Sequence, residues 1–202
     1  MTITEMRSKL MGVLSTKRYN HSTGVMEEAR KLAAHYQTDQ TKAEIAGLLH
    51  DCAKSVGEQE ALLLLRNYGE EPDEIQKASF QLLHGLLGYH IAKEQYGVTD
   101  EDVLQAIYWH TTGKAGMNLL EKIVFVADYI EPNRAFSGLD EIRSVAYRDL
   151  DLCVQLCADS TIRHELSKGR LLHPLTIETR NDMIIKRLRS KGLEPEDSGM
   201  DV

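Results

Sequence analysis

The chain has 202 residues, 42% of them hydrophobic and 27% charged, with a formal net charge of −7. That mixture is ordinary for one globular domain, and the negative balance argues against nucleic-acid polymers and anionic membranes, whose binding recruits many Lys and Arg. No apolar run approaches the roughly 20 residues that cross a bilayer, and three cysteines with no charged-then-apolar leader ahead of them point to a reducing cytoplasm.

Four prolines, at positions 72, 132, 174 and 195, punctuate the chain. Between them apolar residues recur at helical spacing, without long β-type alternation. We read helices over about 2–15, 21–36, 39–52, 58–67, 73–80, 84–96, 99–110, 118–130, 139–167 with a break near 149, and 176–190. Core stripes are clearest at Val25, Ala29, Leu32 and Ala33, at Ile45, Leu48 and Leu49, at Ile123, Val124 and Ala127, and at Leu150, Val154, Cys157 and Ala158. Thr99 ahead of Asp100, Glu101 and Asp102 gives an acidic helix start, and Gly97 closes the helix before it. Residues 1–191 are expected to form one all-α helical bundle, and 192–202 a frayed acidic tail.

His21, the pair His50 and Asp51, His84, His110 and Asp128 fall at or near the ends of predicted core helices, where a bundle can bring them to one point. A lone histidine in such a place is ordinarily a hydrogen-bonded core residue. The set is different. His50 and Asp51 continue the apolar run Ile45, Ala46, Gly47, Leu48, Leu49, and burying both without partners would cost on the order of several kcal/mol. A bound cation removes that cost, and a mixed imidazole and carboxylate shell suits iron, manganese, cobalt or zinc better than calcium.

The ordered set His21, His50-Asp51 and Asp128 resembles the H…HD…D signature of the HD-domain phosphohydrolase superfamily, with His84 and His110 where some members carry two further histidines. The segments His21-Ser-Thr-Gly-Val25, Gly47-Leu-Leu-His-Asp-Cys-Ala-Lys54, His110-Thr-Thr-Gly113, Ala127-Asp-Tyr-Ile-Glu-Pro132 and His173-Pro-Leu-Thr176 resemble its YqeK-type subfamily over nearly the whole chain. The resemblance implies an HD-type bundle that hydrolyses diadenosine tetraphosphate symmetrically into two ADP. It implies iron as the metal, as one or two ions, while the donor types also admit manganese, cobalt or another divalent ion.

Metal ligation is assigned to His21, His50, Asp51 and Asp128, with Asp51 also the candidate bridge to a second ion. Lys54, three residues on, can reach a phosphate or the leaving oxygen; a solvated helix-end lysine is the plainer alternative. Ser55, Val56 and Gly57 form a loop whose amides can bind phosphate, and Arg18 and Arg134 approach from the rim. His84 and His110 have two readings, as ligands of a second metal or as donors to phosphate and leaving-group acids, and Thr111 adds a hydroxyl. Leu171, Leu172, His173, Pro174 and Thr176 are expected to cover the nucleoside, with Thr176, Thr179 and Arg180 opening the last helix. Cys153 and Cys157 read as small core residues, and Asp140, Glu141, Arg143, Arg148 and Asp149 as a mixed-charge surface.

The partner expected is a dinucleoside polyphosphate, and a homodimer is compatible with the sequence. Two other functions fit the same residues. One is hydrolysis of nucleoside monophosphates or cyclic nucleotides; the other is a nucleotide-sensing module without turnover.

Overall fold

The structure, a computed structural model, describes residues 1–193, so the tail expected at 192–202 lies outside the described residues from 194 onward. The described residues form eleven α-helices and one 3-10 turn, with no strand. In chain order these are α1 (Ile3–Val13), α2 (Thr16–His35), α3 (Gln40–Leu49), α4 (Glu58–Asn67), α5 (Glu74–Ala78), the 3-10 turn Phe80–Leu82, α6 (Leu83–Gln95), α7 (Glu101–Trp109), α8 (Leu119–Ile130), α9 (Leu139–Ala146), α10 (Leu150–Ser167) and α11 (Pro174–Ser190).

Local chemistry sets most of the starts. Thr2, Asp73 and Asn118 close reciprocal capping boxes with Glu5, Gln76 and Glu121, while Ser15, Asp39, Asp100 and Asp149 each accept a first-turn amide. α8 is the axis of the bundle. Leu120, Ile123, Val124, Phe125, Val126, Ala127 and Ile130 are all buried, and a helix apolar nearly all round belongs inside. It packs against α2, α3, α7, α9 and α10, while α11 lies on α10. Cys153 and Cys157 are fully buried on α10, as small core residues should be, and the break expected near 149 is real, with Asp149 capping α10.

Four local readings are corrected. α2 starts at Thr16, because Ser15 supplies the cap, so His21 lies inside the helix and not at its end. Asp100, not Thr99, caps α7 by accepting the Val103 amide. The last helix opens at Pro174 with His173 as its cap, so Thr176, Thr179 and Arg180 lie further in. Arg143 is no free surface charge: its guanidinium donates to the carbonyl oxygens of Ile130, Glu131 and Arg134 at 3.0, 2.7 and 3.2 Å.

Candidate metal centre

Two close helix crossings assemble the centre. A Cβ added at Gly47 would lie 3.0 Å from both the Met26 Cα and the Val25 carbonyl oxygen, so α3 runs backbone to backbone against α2 and carries His50 to His21. A Cβ added at Gly85 would lie 2.6 Å from the Tyr108 carbonyl oxygen, and this approach of α6 to α7 carries His84 to His110. The Nε2 atoms are 3.2 Å apart in the first histidine pair and 2.9 Å in the second.

Asp51 stands between the pairs and gives one oxygen to each. Its Oδ2 lies 3.8 and 3.6 Å from the Nε2 atoms of His21 and His50, and its Oδ1 lies 3.2 and 3.9 Å from those of His84 and His110. Asp128 closes the first pair, with Oδ1 at 2.9 Å from His21 Nε2 and 3.6 Å from His50 Nε2. The six residues singled out in the sequence therefore meet in one cluster. Three overlapping triplets within it, His21-His50-Asp51, His50-His110-Asp128 and Asp51-His84-His110, have donor atoms within 4.8 Å of one another.

Each imidazole is anchored through Nδ1. Those of His50, His84 and His110 meet the carbonyl oxygens three residues earlier, of Gly47, Gln81 and Ile107, at 2.7, 2.5 and 2.6 Å. A carbonyl only accepts, so Nδ1 carries the proton and Nε2 turns a lone pair inward. Burial lowers all three rings, His50 and His110 to about 4, so they are neutral near pH 7. In the second pair two inward lone pairs thus face each other at 2.9 Å. That arrangement is repulsive unless a cation lies among them, and the donor set fits a divalent metal.

The carboxylates complete the fit. Burial alone would raise Asp51, yet His50, His84 and His110 outweigh it and hold this carboxyl well below its usual range. Asp128 is held down in the same way, by the His21 hydrogen bond, His50 and Arg134. His21 differs from the other imidazoles. Burial would lower it, but Asp128 and Glu131 raise it, and its Nδ1 donates to the Glu131 carboxylate at 3.1 Å.

Residues 18–133, a span that contains all six donors, match the HD domain. The chain belongs to the HD-domain family. Among relatives of this HD-domain chain, the symmetrical bis(5'-nucleosyl)-tetraphosphatase of Halalkalibacterium halodurans is 42% identical, over 86% of this chain and 92% of that protein. The Bacillus subtilis protein of the same name is 39% identical, over 85% and 91%. The crystal structure of a predicted HD superfamily hydrolase involved in NAD metabolism from Clostridium acetobutylicum superposes with a TM-score of 0.89 at 45% identity, over 92% of this chain and 98% of that one.

Cationic groups ring the HD centre. Arg18 donates to Asp51 Oδ2 at 2.6 Å, and Arg134 to Asp128 Oδ1 at 2.8 Å. Lys54 Nζ lies 3.0 and 3.3 Å from the two ring nitrogens of His84, and burial pushes its ammonium down from the usual lysine range. Thr111 Oγ1 is 3.3 Å from the Nε2 atoms of both His84 and His110.

Beside this rim opens a cavity of about 220 Å³, whose polar lining is Arg18, Lys54, Gln81 and His84 and whose apolar lining is Ala53, Val56, Ala61, Phe80 and Leu87. The loop after Lys54 is less free than its sequence suggests, because the Val56 amide already donates to the Ala53 carbonyl; Ser55 and Gly57 are exposed beside it. The 171–176 segment meets a different partner. His173 Nε2 donates to Asp73 Oδ2 at 2.7 Å while its Nδ1 accepts the Leu175 amide. Leu171 and Pro174 are exposed, Leu172 is half-buried, and Thr176 is buried.

Two contributors are not assigned to the site by the sequence: Glu131, and Arg143, which reads there as a surface charge. Glu131 looks like any acid after a helix, and its partner His21 is 110 residues away. The one local signal is its place inside Ala127-Asp-Tyr-Ile-Glu-Pro132.

Proposed function

We propose that this HD-domain chain is a metal-dependent hydrolase that cleaves diadenosine tetraphosphate symmetrically into two ADP. The observation that carries the reading is the divided Asp51 carboxylate, one oxygen facing each histidine pair, beside a cavity whose polar lining includes Arg18, Lys54 and His84. The relatives' name supplies the substrate.

His21, His50, Asp51 and Asp128 would hold one divalent ion, and Asp51, His84 and His110 a second. A cation so held supplies Lewis acidity and makes a bound water acidic enough to attack phosphorus near neutral pH. Of the two readings of His84 and His110, ligation is the better supported: both present Nε2 lone pairs, and protonating a ring held at about 4 as His110 is would be costly near pH 7. Iron is the metal we assign, and the cytoplasm the compartment; among the described residues no helix is long and apolar enough to cross a membrane.

In the overall reaction, water adds to one of the two central phosphorus atoms, and the central bridging oxygen leaves with the other ADP. Negative charge grows on the non-bridging and leaving oxygens, so cations must be preorganised around them. Arg18 and Arg134 are placed to take phosphate oxygens in exchange for their present carboxylate partners, with bidentate geometry available. Lys54, its proton loosened by burial, is placed to stabilise and protonate the leaving oxygen. The apolar side of the cavity, with Phe80 and Leu87, offers a wall for one nucleoside. The 171–176 segment serves as a second covering element, tied by His173 to Asp73, which caps the helix ahead of Phe80.

The test is product identity. Protein purified without oxygen and loaded with ferrous iron should turn diadenosine tetraphosphate into ADP alone, and should leave nucleoside monophosphates and cyclic nucleotides largely intact. Release of AMP plus ATP would overturn the symmetrical assignment.

A further inference from the structure

The two ends of the donor cluster are not equivalent. His50, His84 and His110 lean on neutral main-chain carbonyls, whereas His21 leans on a carboxylate. Glu131 is 2% exposed, and no Lys or Arg among the described residues forms an ion pair with its side chain; His21 is its ionic partner. A buried carboxylate whose ionic partner is an imidazole is poorly compensated in charge unless positive charge reaches it through that ring.

Its two oxygens are both in use. Oε1 accepts from His21 Nδ1, while Oε2 accepts from the Asn133 backbone amide at 2.7 Å and from Asn133 Nδ2 at 3.0 Å. Only a carboxylate accepts on both sides. A glutamine there would either turn its NH2 toward the two Asn133 donors or turn it toward His21. The second choice would make Nδ1 the acceptor and put the proton on Nε2, where the metal should bind.

The surrounding backbone is built to hold this group. Arg143 ties the carbonyls of Ile130, Glu131 and Arg134 together, which fixes the turn that carries Glu131. On α2, three residues beyond His21, a Cβ added at Gly24 would lie 2.6 Å from Glu131 Oε2 and 3.1 Å from Asn133 Nδ2. The carboxylate occupies the space the glycine leaves.

Charge follows the same division. Around His21 and His50 stand Asp51, Asp128 and Glu131, with Arg18 on Asp51 and Arg134 on Asp128; around His84 and His110 stand Asp51 and, toward His110, Asp128, with the Lys54 ammonium 3.0 Å from His84. We infer that Glu131 is a positioning residue for the metal centre: it fixes His21 and adds a third carboxylate on that side, so the His21-His50-Asp51-Asp128 position is the tighter one and fills before the position at His84 and His110. This rests on the metal-centred reading above and is independent of which nucleotide is cleaved.

The experiment is a titration of Co2+ into the full chain freed of metal, with bound metal and visible absorption followed together. Wild type should take up a first equivalent tightly and a second more weakly, and His84→Ala should remove the second while sparing the first. Glu131→Gln should weaken the first about 10- to 100-fold, the usual effect of losing a ligand's outer partner, and leave the second unmoved. Gly24→Ala, which displaces the same carboxylate from the other side, should reproduce that loss, and Glu131→Asp should restore part of it. Glu28→Gln removes a different buried carboxylate, on α2 and bonded to Tyr147 and Lys31, and should leave both equivalents unchanged.

Thermal unfolding of each metal-free variant separates a misfolded chain from a folded one with altered affinity. A folded Glu131→Gln protein whose first equivalent is unchanged, or whose two equivalents weaken alike, overturns the inference. Wild type that takes up no Co2+ overturns the metal-centred reading itself.

Discussion

Residues 46–49 of α3 and 123–127 of α8, next to His50, Asp51 and Asp128, are buried without a break, whereas α5 and the 3-10 turn Phe80–Leu82, just ahead of His84, bury no side chain fully, and Phe80 is half-buried against the core. The donors therefore cannot shift without repacking the core, which a close-packed interior resists. Ala53, Ala61 and Leu87 of the cavity wall belong to that core, but its Phe80–Gln81 edge is held differently. Polar contacts fix the segment that leads to it: the Asp73 capping box, the Asp73–His173 bond and the Gln81 carbonyl that accepts from His84. The chemistry sits on stiff elements and one edge of the ligand wall on a segment with little buried surface, a division that recurs where a scaffold positions functional groups.

Substitutions on the two sides should therefore fail in different ways. The largest effect belongs to Asp51→Ala, which removes the carboxylate shared by both histidine pairs: metal content and turnover should both vanish, read by metal analysis and ADP release on one sample. Retained full turnover would break the metal-centred reading. Lys54→Ala should keep the metal and lower kcat by about 100-fold, the scale of losing one preorganised group opposite growing negative charge. Loss of metal in that variant would place Lys54 in the donor cluster instead of on the phosphate side.

On the less buried side, Asp73→Ala removes both the α5 cap and the acceptor of His173. It should raise KM several-fold with kcat and metal content nearly unchanged, and cost about 1 kcal/mol of local stability. A fall in kcat equal to that of Lys54→Ala would erase the distinction between stiff donors and the less buried edge of the wall.

Acidity should sharpen the same contrast. His50 and His110 are held at about 4 by burial, below the 6.5 of a free histidine, so the unfolded chain binds protons first as the pH falls. The metal-free protein should therefore lose stability from about pH 6.5 down to about 4. Asp51 and Asp128 extend that loss to lower pH, while His21, raised by Asp128 and Glu131, works in the opposite sense. Thermal unfolding across this range checks the sign, and a flat profile would contradict it.

The donor set was legible in the sequence because two polar residues interrupting an apolar helix stripe need a reason, and His21, His84, His110 and Asp128, at or near the ends of predicted core helices, supply it. The all-α bundle followed from the same periodicity. What stayed hidden depends on distant partners. Gly47 and Gly85 look like weak helix residues until α2 and α7 are seen against them, and Arg143 looks like a surface charge until the carbonyls at the end of α8 turn toward it. Helix starts moved for a local reason. Ser15, Asp100 and His173 offer better acceptors than the positions the apolar pattern favoured. The segment 171–176 was read as a ligand cover from its mixed composition; its strongest contact, His173 to Asp73, joins residues 100 positions apart and has no local signature.

The central claim, that one His and Asp cluster drives symmetrical hydrolysis through a divalent metal, is tested most directly by stepwise reconstitution. Chelator-treated protein receives ferrous iron without oxygen, and ADP release from diadenosine tetraphosphate is measured against metal bound. Turnover should be negligible without metal, rise with occupancy of the cluster, and yield two ADP per substrate consumed. Full ADP release from the metal-free protein, or no release at full occupancy, would contradict it.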